Sequence, residues 1–419
     1  MNTEATQNKK GLSKSTLLIM LCWFVYACSY IGKLSYSANI NQIEKAFNIS
    51  HADAGMISTF FFFAYGAGQV VNGLMCKKYN IKYVIFTSLT VSSIINVLIV
   101  TVSDFALMKY LWLINGVAMS FLWTSLIRLL SETLAKKDIS RAIVAMGTTV
   151  ATGTFIVYGL SALFVAFVNF RVTFYVAAAI MFTSAIIWIC SYNKLVIPLK
   201  EERESDEVAT SAISVKTGAK MEKSVLVMLV VLAFFAVANN FVKDGLTSWT
   251  PNILIATYDT PDWMSILLTL LLPIMAIGGT VVAVNLYKKI SSFVGVCTLL
   301  FFGASVLIGT VLGLLSTSLL PVTVGCFALV SCLMAGVNNV ITSMAPLHLK
   351  EKYSNSGMLA GILNGFCYLG STISSYGLGA VADRYDWSAV FVLLLSVGGL
   401  VTLLGVAYLV FSRKIGRKA

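Results

Sequence analysis

Charge is what this sequence lacks most. Asp, Glu, Lys and Arg make up 11% of its 419 residues, against about 25% in an ordinary soluble domain. So few charges cannot clothe a water-exposed surface of that size. Histidine is scarcer still: His51 and His348 are the only two. None of the eight cysteines forms a C-x-x-C. Zinc sites draw on clustered Cys and His ligands, so no metal is expected and the cysteines read as buried thiols. No glycine-rich phosphate loop opens a helix and no Ser/His/Asp grouping is visible, which excludes an ATP-driven pump, an enzyme and a cofactor from the expectation. No carboxylate lies deep within an apolar run apart from Asp244. Proton-coupled carriers usually place Asp, Glu or His there.

What is present is apolar length. Residues of hydrophobic type make up 58% of the chain, and they recur in stretches of about 20, long enough to cross a hydrocarbon core of ~30 Å. Spans are expected near 15–42, 50–76, 81–102, 105–133, 139–167 and 170–193, then near 224–257, 262–286, 290–314, 318–348, 353–381 and 386–412. Between the sets lies a polar stretch of mixed charge without an apolar face. The expected fold is an all-α membrane protein of twelve transmembrane helices in two pseudo-symmetric six-helix bundles, residues 1–193 and 224–419, joined by a flexible cytoplasmic linker at 194–223.

The net charge of +12 follows topology and not nucleic acid, since no basic-aromatic stripe is present. Of the 30 lysines and arginines, only Lys45, Arg171 and Arg384 fall on the outer side. Lys33, Lys109 and Lys243 fall within spans, and the remainder fall on the side of the termini. That asymmetry predicts a multi-pass protein with both termini cytoplasmic; the expected location is the plasma membrane of a bacterium. Lys9, Lys10 and Lys14 precede the first span with no small-residue cleavage site, as in an uncleaved signal anchor. Gly361 and Gly365 form a GxxxG, and Gly147, Gly153 and Gly159 line the fifth span; both patterns suggest close helix packing.

Two of the intramembrane lysines demand explanation. Lys109 lies near a span end and can snorkel to the interface. Lys33 and Lys243 lie deep within the first span of each half, where a lysine costs about 2.5–3.5 kcal/mol. If those spans face each other across a central cavity, two cations about 10 Å apart repel by roughly 1.7 kcal/mol at an effective dielectric of about 20. A bound anion relieves the repulsion and gains charge-assisted contacts. The competing reading is that each lysine reaches an interface or pairs with an acid. Asp244 is adjacent to Lys243, but adjacent helical residues do not face each other. Polar stripes support a wet cavity: Tyr26, Tyr30, Lys33 and Ser37 share one helix face, as do Asn364, Tyr368, Ser371 and Ser375. Tyr65 and Gln69, then Asn240, Lys243 and Thr247, and the pair Asn338–Asn339 add further polar faces to apolar helices. Candidate substrate-binding residues are therefore Lys33, Lys243, Tyr26, Tyr30, Tyr65, Gln69, Asn240, Asn338, Asn364 and Tyr368.

These segments resemble the organophosphate:phosphate antiporter family of the major facilitator superfamily over nearly the whole chain. "YIGKLSYSA" is similar to the family's Tyr-x-x-Arg segment, with Lys33 at the arginine position. "FVKDGLTSWTPNIL" is similar to its Arg-Asp-Gly-x-x-x-Trp-x-Pro segment, with Lys243 for the second arginine and Trp249 and Pro251 in place. "GVNNVITSMAPLHLKEKYSNSGMLAGILNGFCYLGSTISSYGLGAVADRYDW" resembles the tenth and eleventh spans of Gram-positive members. Val150 and Gln69 stand where the glycerol-3-phosphate carrier has a cavity histidine and a lysine. The superfamily's Gly-x-x-x-Asp-Arg loop reads "GLMCKK", with Cys76 in place of the acid, while "GAVADR" at 379–384 is expected to be an outer surface turn. The resemblance implies a major facilitator fold with alternating access, exchange of phosphate esters for inorganic phosphate, and phosphate bound by the two cationic positions. Lysine keeps the charge without arginine's two-pronged grip, so a carboxylate suits the site as well as a phosphate ester. The expected partners are a small anionic substrate and the lipid bilayer, the expected state a monomer. A membrane sensor of a sugar phosphate and a proton-coupled exporter are the alternative readings.

Overall fold

The computed structural model describes residues 13–75, 78–208, 223–315, 317, 319–350 and 356–416. Helix dominates it, and no strand occurs among the described residues. The first half holds α1 (Lys14–Ala38), α2 (Ile40–Phe47), α3 (His51–Met75), α4 (Ile81–Ile99), α5 (Phe105–Ser120), α6 (Leu122–Thr133), α7 (Lys136–Phe167) and α8 (Arg171–Val208). The second holds α9 (Lys223–Tyr258), α10 (Asp262–Thr269), α11 (Leu271–Ile290), α12 (Phe293–Leu314), α13 (Leu320–Asn339), α14 (Ala345–Lys350), α15 (Ser356–Arg384) and α16 (Trp387–Gly416). Eleven spans among the described residues are long and apolar enough to cross a membrane. The twelfth expected position is filled by α15, 29 residues long, whose Asn, Ser, Thr and Gly content makes it the most polar of the long helices in the second half.

Local chemistry sets the helix starts. Ser13, Asn80, Asp104 and Ser292 accept backbone N–H bonds from the first turns of α1, α4, α5 and α12, which satisfies donors the helix leaves open. Three expected spans are interrupted. The fourth breaks at Phe121 and the eighth at Leu270. Pro273 follows the second break; lacking an N–H, it cannot bond the carbonyl of Thr269. In the tenth span a π-helical turn, Val340–Met344, joins α13 to α14, just before Pro346. In α8 the helix runs through Pro198 to Val208, so residues 194–208 are helical where the sequence reading starts a linker. Residues 209–222 of that linker, and Cys76 of "GLMCKK", lie outside the described residues.

The glycine pattern holds only in part. A Cβ on Gly153 would press on Tyr30 and Ala27 of α1, and one on Gly365 would meet Val70 of α3. Gly361, Gly147 and Gly159 have open space at the Cβ position. The close packing expected of these three is absent: Gly147 borders a cavity, where no helix can press against it.

The halves meet chiefly along α3 and α15, with α7 against α10 and α11 and α2 against α9. An even number of crossings brings both described chain ends to one end of the bundle, the near end. At the far end, polar contacts join the halves. Lys45 pairs with Asp262 at 2.7 Å, and Asn41 donates to the same carboxylate at 3.2 Å. Asn252 on α9 donates to Glu44 on α2 at 2.6 Å, and His51 Nδ1 lies 3.0 Å from the other Glu44 oxygen. Asp383 accepts from the backbone N–H groups of His51 and Ala52 at 3.1 and 2.7 Å. "GAVADR" is therefore not a surface turn. Residues 379–384 are the last helical turn of α15, and Asp383 caps α3 because a carboxylate is well placed at the positive end of a helix. The backbones approach closely here: a Cβ on Gly55 would collide with the Ser375 carbonyl, and one on Gly379 with that of His51.

Candidate functional site

Between the halves lies a cavity of about 430 Å³. Its wall runs from Tyr158 and Ser248 on the far side to Gly147 on α7 and Ser343 in the π turn, toward the near end. Of the expected binding residues, Tyr30, Lys33, Asn240, Lys243, Asn338, Asn364 and Tyr368 line this one space. Lys33 and Lys243 thus face a shared cavity from opposite halves. Tyr26, Tyr65 and Gln69 stand behind the lining. Tyr26 is buried against Tyr30 and Trp123, with ring centroids 5.4 and 4.8 Å away. Gln69 accepts a hydrogen bond from Thr124 at 3.2 Å. Tyr65 packs on Tyr368 at 4.6 Å and backs the Lys33 ammonium.

The two lysines have different surroundings. Lys33 is 7% exposed. Its Nζ sits 4.0 Å from the centre of the Tyr65 ring, 4.9 Å from Tyr30 and 5.1 Å from Tyr368, and donates to the Tyr368 hydroxyl at 3.4 Å. Aromatic faces are partly negative and stabilise a desolvated cation by up to about 2 kcal/mol. Lys243 Nζ instead lies 3.3 Å from Asp244 Oδ1. This corrects the expectation from helix geometry that neighbours in sequence do not pair. The lysine stem is long and flexible, and both side chains sit on the cavity wall. Asp244 is held further by Asn240 at 2.9 Å and Ser371 at 2.6 Å. Lys109 lies over the Phe105 ring at 4.3 Å, near a span end, as expected of a snorkelling residue.

Lys33, Lys243 and Asp244 are the charged residues of the lining among the described residues. Around them stand amides and hydroxyls, including Asn338, Asn339, Thr154, Thr247 and Thr342. The arrangement can bind and orient a polar anion of small-molecule size. It offers no nucleophile–base pair, and no cluster of metal-ligating residues occurs among the described residues.

The sequence profile of the major facilitator superfamily matches residues 22–373. This chain belongs to that superfamily. It is accordingly a membrane transporter by family and not an enzyme. Among its relatives, the "Membrane sensor protein UhpC" of Escherichia coli (strain K12) is 22% identical over 409 residues, covering 94% of this chain and 91% of that one. A "Probable hexose phosphate transport protein" of Chlamydia muridarum is 23% identical over 395 residues, covering 89% and 86%. These full-length similarities support the organophosphate-transporter branch of the superfamily. The crystal structure of a POT family transporter in complex with 5-aminolevulinic acid superposes with a TM-score of 0.77 at 13% identity, covering 98% of each chain. A bacterial homologue of the human lysosomal transporter Spinster, in an inward-facing and unoccupied conformation, gives 0.68 at 13% identity and 96% coverage of each. At such identities these two likenesses establish the fold alone.

Sequence reasoning missed the far-end group of Glu44, His51, Asn252 and Asp383. Each looks unremarkable in its own span. The available signal was that topology brings the ends of all four segments to the same side.

Proposed function

We propose that this protein is a secondary transporter that carries a small organic anion, a phosphate ester or a carboxylate, across the plasma membrane by alternating access. The observation that carries the proposal is that Lys33 and Lys243, one from each half, line the same cavity. An anion between them offsets the cost of burying two ammonium groups and bridges the halves, so that binding acts on their relative position. With both termini cytoplasmic, the joined far end is the outer gate and the cavity reaches toward the cytoplasm. Inorganic phosphate serves as counter-substrate, in keeping with the hexose phosphate carriers among the relatives. Each chain contains a complete cavity, consistent with a monomer as the working unit.

The test is counterflow in liposomes containing the purified protein, with phosphate, hexose phosphates and sugar acids as probes. Wild-type protein should exchange at least one of these anions, and Lys33→Gln or Lys243→Gln should reduce exchange by on the order of a hundredfold. Undiminished exchange in both variants would overturn the two-lysine site. A second reading, a membrane sensor of a sugar phosphate, is favoured by the similarity to the Escherichia coli sensor; it predicts binding without counterflow. Efflux that survives loss of both lysines and collapses with the proton gradient would instead establish a proton-coupled exporter.

A further inference from the structure

The charges of the cavity can be counted, and the count selects among anions. Lys33 contributes one positive charge and makes no ion pair among the described residues; its ammonium is held by three tyrosine faces and one hydroxyl. Lys243 contributes a second, and Asp244 stands 3.3 Å from it. The aspartate is fixed as an acceptor. The Asn240 amide and the Ser371 hydroxyl both donate to its Oδ2, at 2.9 and 2.6 Å, while Lys243 faces Oδ1. Three donors converge on its two oxygens, an arrangement that matches the acceptor-only lone pairs of a carboxylate. The wall around these groups adds only amides, hydroxyls and apolar atoms. The lining therefore carries a net charge of one positive unit.

We propose that Asp244 restricts the cavity to substrates with a single negative charge: monocarboxylates or singly ionised phosphate monoesters. The inference rests on the anion-transport reading above and narrows it. A monoanion completes the charge balance, directed at Lys33, which makes no ion pair among the described residues, with Lys243 shared between the substrate and Asp244. A dianion exceeds the available charge by one unit in a site walled by low-dielectric protein, where uncompensated charge is penalised most. Asp244 is thus a specificity-determining residue. Its position one step along α9 from Lys243 lets a single helix supply both the cation and the limit on it.

A hexose 6-phosphate and the corresponding sugar acid test this directly. The phosphate monoester passes from monoanion to dianion near pH ~6, while the sugar acid stays a monoanion from pH 5.5 to 8. Binding of both to the purified, full-length protein is measured by competition across that range. Taking the ratio of the two affinities removes any effect of pH on the protein common to both ligands. In the wild type the relative affinity for the phosphate ester should fall about tenfold per pH unit above ~6. In Asp244→Asn the lining gains a charge, the decline should flatten, and the relative affinity at pH 8 should rise at least about tenfold over wild type. A wild-type ratio that is flat or rises with pH would overturn the proposal, and it does so without the variant, so poor folding of Asp244→Asn leaves the question decidable. Failure of the parent reading has a different appearance: neither anion binds at any pH, and Lys33→Gln is indistinguishable from wild type.

Discussion

The hydroxyl of Tyr158 on α7 donates to the backbone carbonyl of Thr247 on α9 at 3.4 Å, across the boundary between the halves. In an uninterrupted helix that carbonyl bonds to the N–H of residue 251. Here residue 251 is a proline, which has no N–H and whose ring crowds the carbonyl four residues earlier. The proline thus frees an acceptor, and a tyrosine from the other half takes it. Together with Glu44–Asn252, Asp383 on α3 and Lys45–Asp262, this contact makes the far end a polar seam between two rigid bundles. Groups that can separate and be hydrated without large loss suit a gate better than a permanent apolar interface.

Removing that contact should loosen the far end. Tyr158→Phe deletes one hydrogen bond, worth about 0.5–1.5 kcal/mol. Pro251→Ala restores the helical N–H and offers the carbonyl a rival donor. Both variants should increase labelling of a cysteine introduced at Thr247 on the far-end side of the cavity, by roughly two- to tenfold. Labelling that stays at the level of the single-cysteine parent would assign the contact no part in closure.

Asp383 provides a stronger test of the same seam. Its carboxylate accepts two N–H bonds at the start of α3, where the helix dipole favours negative charge. Asp383 is exposed, so the bond energy is tempered by water, and a value of about 1 kcal/mol is appropriate. Asp383→Asn should shift the closed-to-open balance of the far end by about fivefold toward open. Distance distributions between spin labels on the outer ends of α2 and α10 measure the two populations. An unchanged distribution removes Asp383 from the gate.

The gate should also respond to pH. Burial pushes the Glu44 carboxyl above its ordinary range, and the nearby Asp383 adds to the rise; the hydrogen bonds from His51 and Asn252 act in the opposite sense without overcoming it. Opening the far end exposes Glu44 and returns it toward the usual glutamate value of about 4.3. The closed form then binds a proton more tightly than the open form. Closure is favoured below the ordinary glutamate value and loses that contribution as pH rises through the raised one. The same spin-label distances should show more closed protein at pH 5 than at pH 7.5, and Glu44→Gln should flatten the profile. More opening on acidification would contradict the assignment.

Why these contacts escaped the sequence, while the cavity did not, has a physical explanation. Lys33 and Lys243 were legible because a charge in an apolar span is expensive, and the amide and tyrosine stripes beside them follow the helical period. Seven of the residues so identified line one cavity. Tyr26, Tyr65 and Gln69 share the correct helix faces but lie behind the lining, because a period fixes direction and not depth. Asp244 was visible as a residue and misjudged as a partner: the rule that neighbours diverge describes Cβ vectors, and a lysine's four methylenes can bend around it. Glu44, His51 and Asp383 sit at span ends, where charged residues are ordinary. Only the register of α2 and α3 against α9 and α15 gives them partners, and one-dimensional patterns do not encode register between helices of different halves.

The aromatic setting of Lys33 leads to a further expectation. Tyr65 lies beneath the ammonium at 4.0 Å and is itself only 2% exposed, so it supports Lys33 without lining the cavity. Tyr65→Phe keeps a ring, though a less electron-rich one, and loses the hydroxyl. Tyr65→Leu keeps apolar bulk and loses the ring. If the quadrupole of the ring holds the cation in place, Tyr65→Phe should weaken anion binding by no more than about threefold. Tyr65→Leu should weaken it by about five- to thirtyfold, for a cation–π contribution of about 1–2 kcal/mol. Lys33→Arg tests the same idea from the other side. A guanidinium keeps the charge and stacks on tyrosine, yet it is planar and longer than the ammonium, so it should retain measurable binding and favour phosphate esters, whose oxygens accept its parallel donors, over carboxylates of the same size. Equal losses in Tyr65→Phe and Tyr65→Leu would mean that the hydroxyl, and not the ring, positions Lys33.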